Sequence, residues 1–125
     1  MRRLTALVLL AGCLAAAASA ATVQSQVFHF RWPATGKKAA YVVTLRRTST
    51  APIKSVRILV DGVAVDNKAD YIVACAHRGP SFANASWSAA AHAITARIQL
   101  ESGFCKPGPK TAGTLAAVKI VATYR

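Results

Sequence analysis

The sequence predicts an all-β protein: an antiparallel β-sandwich of about seven strands. Three observations predict it. Apolar residues recur with period two in nearly every segment after residue 20. Turn-forming Gly, Pro, Asp and Ser separate those segments. Beyond the N-terminus no stretch keeps a convincing helical period, and only Ala89 to Ala93 is ambiguous. Short strands at such spacing bury an apolar face only by stacking one sheet on another.

The chain opens MRRLTALVLLAGCLAAAASA. Arg2 and Arg3 form a positive n-region, Leu4 to Ala18 is uncharged and mostly apolar, and Ala18-Ser19-Ala20 is an A-x-A cleavage site. This pattern is that of a secretory signal peptide over residues 1–20, and it predicts a secreted or periplasmic protein. The stretch is at the lower limit for spanning a bilayer. Leu10-Ala11-Gly12-Cys13 also resembles a bacterial lipobox, which would make the chain an outer-membrane lipoprotein anchored at Cys13. That signal would be only 12 residues long, and Leu14 to Ala17 continues the apolar run where lipoproteins turn polar. Cleavage after Ala20 is the favoured expectation, with residues 21–125 forming one domain.

The strands follow in order. In VQSQVFHFRW, Phe28, Phe30 and Trp32 share one face, and Pro33 and Gly36 end the run. In AAYVVTLRR, Tyr41, Val43 and Leu45 alternate with Val42, Thr44 and Arg46. IKSVRILVDGVAVD aligns Val56, Ile58 and Val60, then turns at Asp61-Gly62, a two-residue hairpin signal. DYIVAC aligns Tyr71, Val73 and Cys75, and AHRGPSFANASWS is expected to be a loop. HAITARIQLES sets Ile94, Ala96, Ile98 and Leu100 against Thr95, Arg97, Gln99 and Glu101. GFCKPGPKTAG is a second loop, its prolines barring regular pairing. TLAAVKIVATYR places Val118, Ile120, Ala122 and Tyr124 on one face.

Without residues 1–20 the chain carries 14 Lys and Arg against Asp61, Asp66, Asp70 and Glu101. That balance favours an anionic partner: a polyanion, an acidic glycan or an acidic protein. No nucleic-acid-binding motif is present. Two cysteines remain, Cys75 and Cys105, and an even count in an exported domain implies a disulfide.

Two resemblances are short. SVRILVDGVAV and SWSAAAHAITARIQLESG resemble the bacterial immunoglobulin-like modules of surface and carbohydrate-active proteins, over residues 55–103. That likeness implies an immunoglobulin-like sandwich with a spacing, display or binding role. AGTLAAVKIVATYR, with Gly113 and penultimate Tyr124, resembles the C-terminal end of chaperone–usher pilins. That likeness implies a fimbrial subunit assembled by strand addition, with TVQSQVFHF as the donor strand.

Cys75, His77 and Cys105 lack the spacing and the fourth ligand of a metal site, so no metal or other cofactor is expected. His29, His77 and His92 lie in separate segments without a matched carboxylate, and no serine has a nucleophile-elbow context. A catalytic site is therefore not expected. The expected ligand-binding residues are basic and aromatic: Lys106, Lys110 and Phe104 in one loop, Arg78 and Trp87 in the other, and Arg46 and Arg47 at a turn. They would form a rim at the disulfide end. The expected function is an exported, non-catalytic binding or surface-interaction protein, with a pilin-like structural subunit as the alternative.

Overall fold

The computed structural model describes residues 22–74, 80–103 and 111–125. Eight strands follow one another: β1 (Thr22–Arg31), β2 (Lys38–Arg46), β3 (Ile53–Val60), β4 (Val63–Val65), β5 (Tyr71–Ala74), β6 (Ser81–Ala89), β7 (Ala93–Glu101) and β8 (Leu115–Tyr124). They form two antiparallel four-stranded sheets, in the orders β1-β8-β3-β4 and β2-β7-β6-β5. The chain is an all-β sandwich, as its patterning predicts. The order pairs the first strand with the last and sends the first two strands to opposite sheets, whereas an immunoglobulin domain keeps its first two strands in one sheet.

The eighth strand is β6, which corrects the expectation of a loop there. Its inward positions begin with Ser81, Ala83 and Ala85, all buried, so the stretch carries no alternation of large apolar residues. Pairing creates the strand: β6 meets β7 from Phe82↔Glu101 to Ala89↔Ile94. Tertiary context here overrides a weak local preference.

β7 and β8 lie inside their sheets and furnish the centre of the core. Ile94, Ala96, Ile98 and Leu100 from β7 face Val118, Ile120, Ala122 and Tyr124 from β8, and all eight are buried. Val43 and Leu45 of β2 and Ile58 and Val60 of β3 complete the layer. The Asp61-Gly62 turn has φ of 47° and 85° at its two residues, the left-handed pair that a tight hairpin between right-twisted strands requires. Asp61 also accepts the Ala117 N–H through Oδ1 at 2.8 Å, tying the turn to β8.

One side of the sandwich is sewn shut. β1 runs along β8 for ten residues, then the chain crosses to β2 through buried Trp32. The Phe30 and Tyr41 rings stack across this seam at 4.6 Å between centroids, and the Tyr41 hydroxyl donates to the Arg31 carbonyl at 2.6 Å. At the other end of the seam, Gln24 donates to the Arg46 carbonyl at 2.5 Å and accepts from the Tyr124 hydroxyl at 2.6 Å.

Candidate ligand-binding cleft

Among the described residues the opposite side is open, because its edge strands are short. β4 covers β3 only at Ile58, Leu59 and Val60, so Ile53 to Arg57 has β8 as its one strand neighbour. β5 covers only the Ser81–Ala83 part of β6, so Asn84 to Ala89 has β7 alone. Between these half-covered strands lies a cleft of about 140 Å³, walled by Val56 and Ile58 on one side and Ala85 and Trp87 on the other.

Asp66 and Asn67, on the link from β4 to β5, close one end of the cleft. The Asp66 carbonyl accepts the Ala85 N–H at 3.3 Å, joining the two sheets. Its carboxylate accepts the Lys68 N–H and the Tyr71 hydroxyl, each at 2.9 Å. Those donors, the Lys68 amide foremost, hold the Asp66 carboxyl below the usual carboxylate range. The same bond to Asp66 pushes the Tyr71 phenol up. An ionised, doubly bonded Asp66 is suited to holding the link in place rather than to accepting a substrate proton.

Trp87 has the core-facing parity of β6 but lies beyond the cover of β5, and 43% of its surface is exposed against 2% for Trp32. Two guanidinium groups lie on the outer faces of the strands around the cleft, one on each sheet. Arg57 lines an outer lobe of the cleft with Ala64 and Tyr71. Arg97 lines a shallow hollow beside Trp87 with Ser88 and Thr95. An exposed indole over an apolar floor offers stacking within a cationic surface.

The charge balance sharpens the picture. All four carboxylates are engaged internally: Asp61 with Ala117, Asp66 as above, Asp70 with Asn84, and Glu101 with Lys38 at 3.7 Å. Among the described residues Lys38 alone of eleven Lys and Arg side chains pairs with a carboxylate, so the positive field is left to solvent. No three His, Cys, Asp or Glu side chains gather with metal-binding geometry among the described residues.

The residues expected from the sequence fare differently. Lys106, Lys110, Phe104 and Arg78, with Cys75, Cys105 and His77, lie outside the described residues. Arg46 is exposed at the end of β2 and pairs in register with Ala93, at the end of the sandwich away from the β5–β6 and β7–β8 connections. Trp87 lies toward that same end, on a strand instead of a loop. Strand direction puts Arg46, Arg47 and Trp87 at the end of the sandwich opposite Ser81, Glu101 and Thr111.

Arg47 is also spoken for. It donates through Nη1 to the Ala90 carbonyl at 2.7 Å and through Nη2 to the Ala51 carbonyl at 2.6 Å, with its guanidinium over the Tyr124 ring. Arg57 and Arg97 are cations on the outer faces of β3 and β7, beside the strands that wall the cleft. In the sequence they stand as cations at outward positions of SVRILV and ITARIQL, on strands and not in loops. A scan against protein-family models and searches of curated proteins and of solved structures found no match to the chain, so the functional reading rests on this geometry.

Proposed function

We propose that the protein is an exported, non-catalytic binding protein that engages an anionic partner through the cationic surface around the open cleft at Trp87, with Arg57 and Arg97 on the outer faces of the strands beside it. One observation carries the reading: the carboxylates are all occupied within the fold, while ten of the eleven described cations have no carboxylate partner. A surface that leaves its cations unneutralised attracts anions over roughly a Debye length, about 8 Å at physiological salt. The cleft adds an apolar floor and an exposed indole, which give such attraction a place to settle.

A Cys75–Cys105 disulfide belongs to the same reading. The described residues flanking both cysteine-bearing connections converge on Ser81, whose hydroxyl lies 2.5 Å from that of Thr111 and accepts the Gly103 N–H at 2.8 Å. The pilin-like alternative is less well supported. Its expected donor strand lies on the chain's own β8 for ten residues, so exchange between copies would first have to strip that ladder.

Titration calorimetry with a heparin fragment tests the proposal. Binding is expected at low salt, weakening steeply as salt rises, with a further loss of at least ~10-fold in the double variant Arg57→Glu/Arg97→Glu. Absence of binding at low salt, or equal affinity for neutral dextran, would overturn it.

A further inference from the structure

We infer that the outer edge of β6, at Trp87 and Ala89, accepts an extended acidic peptide as an added strand. The inference deepens the anionic-partner reading and rests on it. Backbone direction carries it. In an antiparallel ladder, successive residues turn their N–H and C=O alternately to one neighbour and the other. The Ala90 N–H bonds to the Ala93 carbonyl at 2.8 Å, so even-numbered residues at this end of β6 turn toward β7. The Ala85 N–H turns the other way and meets the Asp66 carbonyl. Trp87 and Ala89 share the orientation of Ala85, and among the described residues no strand lies beside them. Their two N–H and two C=O groups thus form an open rung that continues the line of β5.

The surroundings select the peptide. Side chains of an added strand alternate between the cleft and solvent. Inward ones would meet Trp87 and Val56, a half-buried apolar floor, and so favour an apolar residue. Outward ones would lie on the outer face of the same sheet as Arg97, which is cross-strand from Ser86 and lines a hollow with Ser86 and Ser88. The free stretches 53–57 and 84–89 contain no carboxylate. Acidic residues at the outward positions complement that charge, whereas a second copy of this cationic chain would bring its own cations to the same edge.

The probe is a blocked pentapeptide alternating glutamate and valine, titrated into the purified protein. Binding is expected with a shift in tryptophan emission and at least ~10-fold slower hydrogen exchange at the Trp87 and Ala89 amides. The same peptide N-methylated at the amides facing β6 is expected to bind at least ~10-fold more weakly. Ala89→Pro removes one outward N–H without touching the β7 ladder and should have the same effect on the unmodified peptide. The methylated peptide keeps the test decisive if that variant does not fold. Equal binding of both peptides, without protection at Trp87 and Ala89, would overturn strand addition while leaving anion binding intact. If neither the peptide nor heparin binds, the broader proposal falls with it.

Discussion

At the scale of the residue, position in the ladder decides what a side chain does. Arg47 looks like a ligand-binding cation in RRTST, yet its guanidinium clamps the carbonyls of Ala51 and Ala90 from two directions. Arg47→Ala is expected to lower stability by about 1–3 kcal/mol in urea denaturation and to leave heparin affinity within about twofold. Ile98 is 1% exposed between the sheets, and Ile98→Ala is expected to cost about 2–5 kcal/mol by the same measurement. Asp66 sets a pH window for the closed end of the cleft. Its carboxyl is depressed, so its contribution is present above the unfolded value, near pH 4, and is lost as pH falls through the folded value. Tyr71 is raised, so its contribution is present below about pH 10 and is lost above it. The Lys68 and Ala85 amide resonances should accordingly hold steady between about pH 5 and 9. Both should move on acidification below about pH 4; constant shifts there would contradict the Asp66 assignment.

At the scale of the element, strands with large inward residues could be read from the sequence and strands with small ones could not. β7 and β8 announce themselves because every second residue is large or apolar and ends up buried. The β3–β4 hairpin was equally legible, since Asp-Gly is the pair that tolerates left-handed φ at both positions. Gly62→Ala, which meets no atom within 4 Å, tests this by backbone strain alone and should cost about 1 kcal/mol. β6 was hidden because Ser81, Ala83 and Ala85 fill their positions with little apolar surface. The cleft was hidden for a related reason: it arises where β4 and β5 stop short, and the extent of a neighbouring strand is a long-range property. Arg57 and Arg97 were legible as outward cations, and the structure places them on the outer faces of different sheets, beside strands that wall the cleft.

At the scale of the whole molecule, the sandwich has a sewn seam on one side and, on the other, the open cleft proposed to bind. β1 and β2 are held across their edges by Gln24, Phe30 and Tyr41, which also protects these long edges from pairing with other chains. Ser81, Gly103 and Thr111, which flank the two cysteine-bearing stretches in sequence, meet at the far end. A Cys75–Cys105 bridge would close a loop of about 30 residues, and its reduction should lower stability by about 3–4 kcal/mol. Peptide mapping under non-reducing conditions checks the bridge itself. The proposed function rests on the positive surface, and the salt dependence of anion binding tests it most directly. Calorimetry with a heparin fragment between about 50 and 300 mM salt should show affinity falling by ~10-fold or more. Affinity that does not change with salt, or no binding at the lower concentration, would contradict the account.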